Sequence, residues 1–109
     1  MRNGIKYFNE VDDQGNPTGG TVTGVGIGIA WQNGPLGRGT ERKEPNGAFV
    51  EDVIDACAKR IRFYQETKGG IFACRQNALA LTKLEEALHW LDDRTKEREE
   101  RLVEGTHIP

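Results

Sequence analysis

Basic surplus, hydrophobic length and cysteine are what this chain has little of, and each shortage removes a class of function. Lys and Arg number 15 against 17 Asp and Glu, a formal net charge of -2, whereas a protein that grips a long nucleic acid by its phosphates carries a basic excess or a basic face. Long nucleic acid is therefore not an expected partner. No apolar run approaches the roughly 20 residues that cross a bilayer, and the opening MRNGIKYFNEVDDQGN has no signal-peptide core. The expectation is a soluble protein that stays in the cytoplasm without a membrane partner. Cys57 and Cys74 stand 17 apart, with no CxxC and no His-Cys spacing around them, which favours reduced thiols in apolar packing over a disulfide or a metal site.

Catalytic parts are scarce as well. A cysteine nucleophile needs an imidazole to orient it, yet His89 adjoins Trp90 in a helical stretch and reads as a packing residue. Glu85 and Glu86 lack placed His or Asp partners for a metal. The expectation is a binding protein, not an enzyme, with no metal and no cofactor.

What the chain does have is a pattern of short strands followed by long helical periodicity. With 109 residues it is expected to form one domain, 36% hydrophobic and 29% charged. A chain of this length hides only about 65% of its unfolded surface, so oligomerisation would help. Residues 5–10 and 21–32 read as strands joined through VDDQGNPTGG. In the second, Val25, Ile27, Ile29 and Trp31 alternate with Gly24, Gly26, Gly28 and Ala30, giving one bulky face and one open to close approach. These glycines lack the GxGxxG order of a dinucleotide fold.

Asn46 reads as the cap of a first helix, along which Val50, Val53, Ile54, Cys57, Ile61 and Tyr64 form one face. Gly69 and Gly70 end it. A second helix carries Leu81, Leu84, Leu88 and Leu91 in 4-3-4 steps, a coiled-coil-like seam, with Ala80, Ala87 and Trp90 widening the apolar arc. The expected architecture is α+β: a small N-terminal antiparallel β-sheet (hairpin region 1–32), a loop (33–46), a long antiparallel α-helical hairpin (47–68 and 73–103) and a tail (104–109), assembled as an oligomer.

Asn77 and Thr95 lie 18 apart, five helical turns and about 27 Å, so they share a side of the helix without meeting. Antiparallel pairing of two hairpins would set Asn77 of one chain against Arg94 and Thr95 of the other, with two equivalent pockets per twofold dimer. An Asn amide reads an adenine edge, an Arg fork bridges phosphate oxygens and a Thr hydroxyl donates to a phosphate or ribose. The plainer reading is a helix cap for Asn77 and solvated surface for the other two. Adjacent aromatics diverge by about 100° on a helix. Tyr64 fits the seam, leaving Phe63 either to stack on a base or to pack on a neighbouring subunit. The loop NGPLGRGTERKEPNG, with Arg38, Arg42 and Lys43, reads either as an anion-closing loop or as plain surface.

The words WQNGPLGRG, EPNGAFVEDVIDA, CRQNALALTKLEEALHWL, RTKERE and VEGTH, in this order from about Gly24 to His107, resemble the helical-hairpin proteins with which bacteriophages sequester immune nucleotide signals, specifically the first-described family of anti-Thoeris sponges. The hairpin domain is shared with anti-CBASS sponges. The resemblance implies a phage anti-defence protein in the cytoplasm of the infected host. It would bind the TIR-derived signal glycocyclic ADP-ribose without cleaving it, as a dimer and as a hexamer built from a trimer of dimers. It further implies an aromatic and an Asn on the adenine and an Arg-Thr pair on the phosphates, positions matched by Phe63, Asn77, Arg94 and Thr95. Because KGGIF lengthens the junction between the helices, Phe72 is the alternative to Phe63. The tail residues Glu104, Thr106 and His107 would cover the pocket, although His107 also reads as frayed tail. Arg38 is the candidate for a second site holding cyclic di- or trinucleotides. The competing function is an oligomeric protein-protein interaction module or small phage regulator.

Overall fold

The computed structural model describes residues 4–109; the first three residues of the expected 1–32 hairpin region lie outside the described residues. The chain falls into two compact units, one comprising Met1–Phe49 with Arg98–Pro109 and the other Val50–Glu97.

The first unit is built on a three-stranded antiparallel sheet in the order β1 (Lys6–Val11), β2 (Pro17–Gly24), β3 (Ile27–Ala30). Tyr7, Val22 and Ile29 are cross-strand neighbours, and partners in register share a face. Val22 is buried there. The single strand expected over 21–32 is instead a hairpin. Gly24 pairs with Ile27 across the two-residue turn Val25-Gly26, where Gly26 takes φ +81, a left-handed conformation that glycine adopts without a Cβ penalty. Val25 stands fully exposed at its tip. The alternating glycine face is thereby broken up across two strands and a turn.

Asn46 does not cap the first helix. Its side-chain oxygen accepts the Asn33 N–H at 2.8 Å, while its own N–H donates to the Gln32 side chain at 2.8 Å. Beside this amide staple, Trp31 and Ala48 form an isolated parallel bridge, which holds the chain extended and delays the helix.

In the second unit, α1 spans Val50–Glu66 and α2 begins at Arg75, running to Glu100. Glu51 and Asp52 lie in the first turn of α1, where carboxylates complement the helix dipole. The reversal between helices is a 3-10 turn, Thr67–Gly70, with Lys68 and Gly69 in left-handed geometry. The Gln65 side chain then closes on both backbone groups of Cys74, accepting its N–H at 3.0 Å and donating to its carbonyl at 3.1 Å. Further along, Arg62 reaches Glu85 at 2.5 Å, so α2 doubles back beside α1. Cys57 and Cys74 are free and exposed, contrary to the apolar packing expected of them. Cys74 sits just before α2 and its sulfur accepts the Asn77 N–H at 3.4 Å, the role of a helix cap.

Among the described residues, only Val22 and Ala58 are buried apolar side chains. The helix ends are held by polar contacts instead. Past Glu100, Leu102 turns left-handed and the Val103 N–H returns to the Arg98 carbonyl at 3.0 Å, ending α2 before the expected 103. The Arg98 side chain is buried, at 8% exposure. It donates to the carbonyls of Ile108 at 2.6 Å and of Val103 and Thr106 at 3.0 Å each. A hydrogen bond from a charged donor contributes roughly 1.5–3 kcal/mol. Arg98→Ala is therefore expected to lower stability by about 2–3 kcal/mol and to strip exchange protection from the tail amides, read by hydrogen–deuterium exchange. Unchanged protection of Val103 and Thr106 would show the clamp to be dispensable.

Candidate functional site

Seven positions on α2 recur in alternating steps of four and three: Asn77, Leu81, Leu84, Leu88, Leu91, Thr95 and Arg98. All are half-buried or buried, whereas most positions between them are exposed. The leucine seam is thus bounded by polar residues, Asn77 at one end and Thr95 and Arg98 at the other. The Thr95 hydroxyl donates to the Leu91 carbonyl at 3.2 Å, a back-bond that leaves its oxygen free to accept. Arg94, one position earlier, is exposed, and its side chain makes no ion pair or hydrogen bond with the described residues. Asn77 lies in the first turn of α2, where the positive end of the dipole adds to the donors of its amide.

On α1, Phe63 and Tyr64 are both exposed, at 51% and 40%, so Tyr64 is not sunk into an apolar seam as its spacing suggested. Their rings lie 5.9 Å apart at 56°. The Arg60 guanidinium sits over both, 5.2 Å from Phe63 and 4.9 Å from Tyr64. Phe72, the alternative stacking residue, is 57% exposed in the segment between the helices. The His89 and Trp90 rings meet edge-on at 5.4 Å, but both side chains face solvent and do not pack as expected.

Arg38 and His107 belong to the other unit. There four hydrogen bonds join the 36–43 loop to the tail, and a fifth braces the loop itself. The Gly37 N–H donates to the Gly105 carbonyl at 2.8 Å. Arg42 forks onto both Glu104 carboxylate oxygens at 2.7 and 2.9 Å. Arg38 donates to the Glu104 carbonyl at 3.1 Å, and Arg42 also donates to the Gly37 carbonyl at 3.2 Å. Gly105 is needed because its φ is +81 and a Cβ would run into the Gly37 carbonyl. His107 is exposed and adds a favourable charge interaction to Asp12, whose carboxyl is held below its ordinary value chiefly by the Asn16 backbone N–H. The structure thus groups Phe63, Asn77, Arg94 and Thr95 in the helical unit, and Arg38 and His107 with the sheet. Among the described residues there is no cluster of His, Cys, Asp and Glu suited to a metal and no helix long and apolar enough to cross a membrane.

Two half-exposed rings under one cation and a seam with polar ends occur on two helices that double back. The hairpin profile described as Acb2/Tad1, hairpin domain, matches residues 25–96. The chain belongs to the Acb2/Tad1 hairpin family. It is also 46% identical over 93 residues, 85% of its length, to Thoeris anti-defense 1 from Bacillus phage SBSphiJ7, and spans 63% of that protein. The family match begins at Val25 and ends at Lys96, so it takes in α1 and the α2 seam through Thr95 but stops short of the tail clasp.

Sequence reasoning missed the Arg60 stack and the Arg42–Glu104 pair. The first had a local signal, since an Arg followed three and four positions later by aromatics lies on their face of a helix. The second, 62 residues apart, had none. The Glu104 carboxyl is held below the ordinary 4.5, first by its hydrogen bonds from Arg42. A depressed carboxyl stabilises the fold above its unfolded pKa and loses that contribution as pH falls through the folded value. Melting temperature measured against pH should therefore fall more steeply below about pH 4.5 in the wild type than in Glu104→Gln. Parallel acid limbs would show that the pair contributes nothing to folding.

Proposed function

We propose that this protein is a phage anti-defence protein acting in the cytoplasm of the infected host. It binds the TIR-derived signal glycocyclic ADP-ribose and withholds it from the defence effector without cleaving it. The observation that carries the reading is the composition of the α2 seam in a chain of this family, with leucines between Asn77 and Thr95 and the unpaired Arg94 cation alongside. In an antiparallel dimer the Asn77 end of one seam meets the Arg94-Thr95 end of the other. The adenine then lies between Phe63 and the Asn77 amide, and the phosphates lie on Arg94 and Thr95. The exposed Ile71, Phe72, Leu79 and Trp90 of the helical unit support assembly beyond the single chain, since a partner would take large apolar side chains out of water. The assembly in this reading is a dimer, further built into a hexamer as a trimer of dimers.

A sponge needs no nucleophile or general base. It needs affinity, nanomolar or better, about -12 kcal/mol, and hence an enclosing pocket. In this reading His107 is a further ligand-binding residue. Arg38 contributes to a second site for cyclic di- or trinucleotides. The same apolar residues also suit the alternative, an oligomeric protein-protein interaction module or small phage regulator, which would bind no nucleotide.

Calorimetric titration of the full chain with glycocyclic ADP-ribose decides between them, followed by heat release and chromatography of the ligand. Tight binding with unchanged ligand is expected. Asn77→Ala and Arg94→Ala should each weaken it by at least about tenfold, equivalent to roughly 1.4 kcal/mol, without altering the elution volume of the assembly. Altered ligand would make the protein an enzyme, and no binding at micromolar concentration would leave the interaction module as the reading.

A further inference from the structure

Arg60, Phe63 and Tyr64 occupy positions i, i+3 and i+4 of α1 and so share one face. The guanidinium carbon is 4.9 Å from the Tyr64 ring centre and 5.2 Å from that of Phe63, inside the roughly 6 Å over which a cation is drawn to a π-face. Its Nε donates to the Tyr64 hydroxyl at 3.1 Å. That bond orients a rigid, planar group whose two terminal nitrogens point away from Nε and carry the remaining donors. No described residue accepts from either of them. Arg62, two positions on, behaves differently: its fork meets Glu85 at 2.5 Å and Glu66 at 3.8 Å. The helix therefore carries one arginine paired with carboxylates and one held by aromatic rings, its Nε bonded to Tyr64 and its terminal nitrogens unengaged by the described residues.

A π-face next to a positively charged planar fork matches the two halves of a nucleotide, base and phosphate. We propose that Arg60 is a ligand-contacting residue, its guanidinium fork taking phosphate oxygens of the nucleotide whose base stacks on Phe63. This rests on the reading of Phe63 as the stacking residue, and adds a cation on α1 to the Arg94 cation of α2. Phe63 and Tyr64 pre-set the guanidinium, so less side-chain freedom is lost when the anion arrives.

Calorimetry of the full chain with glycocyclic ADP-ribose, at low and high salt, tests the assignment. Arg60→Gln should weaken binding on the order of tenfold and flatten its salt dependence, because an exposed cation–phosphate contact is screened. Arg60→Lys should recover only part of the loss, since an ammonium cannot fork or lie flat on the rings. Arg60→Gln binding within about twofold of wild type, with the same salt dependence, would overturn the assignment while leaving the sponge reading intact. Failure of the wild type to bind would overturn both. A reading that needs no variant to fold is the Arg60 Nε–H signal in a nitrogen–proton correlation spectrum, with saturable movement expected as ligand is added. A fixed Arg60 signal alongside a moving Asn77 amide would also overturn the assignment.

Discussion

The Gln65 side chain binds both backbone groups of Cys74, and the helical unit depends on this closure. Helices need their first N–H and last C=O groups satisfied from outside, and a reversal places two such ends together. One amide satisfies a donor and an acceptor at once, Cys74 sulfur takes a third group at Asn77, and α2 starts with its direction set. The same solution recurs in the sheet unit, where Asn46 with Gln32 pins the loop and Arg98 gathers the tail carbonyls. With Val22 and Ala58 as the buried apolar residues described, side chain-to-backbone bonds do locally what a larger hydrophobic core does elsewhere.

That economy of core leaves chemistry at the surface. Residues with amides, hydroxyls and guanidinium groups stand at the ends of an apolar seam instead of being distributed along it; of these, Arg98 is committed to the tail carbonyls and Arg94 is exposed. Two arginines two positions apart on α1, Arg60 and Arg62, point to different sides of the helix and so differ in the partners within reach: rings for the first, Glu85 and Glu66 for the second. A guanidinium held by π-faces keeps its charge uncompensated, whereas one held by carboxylates does not.

Much of the fold could be read from periodicity. The 4-3-4 leucines marked α2, and the Val53, Ile54 and Ile61 positions of α1 are half-buried as their spacing implied. Boundaries moved where a distant partner intervened: the Trp31–Ala48 bridge delays α1, and the Val25-Gly26 turn divides one expected strand into two. The aromatic-cation cluster was readable from local spacing. The Arg42–Glu104 contact was not, because neither residue's neighbours indicate a partner 62 positions away.

By itself the sequence determined the two-helix pattern, the strand-rich opening, the lack of an apolar run of bilayer-spanning length and the polar ends of the α2 seam, because these are properties of neighbouring positions along the chain. Only the tertiary structure decided which arginines are engaged and which are free, that Cys74 and Gln65 close the turn, and that the loop holding Arg38 is joined to the tail. Hydrogen bonds and ion pairs are short-ranged and directional, so their partners depend on where the folded backbone brings distant residues, and local periodicity carries no record of that.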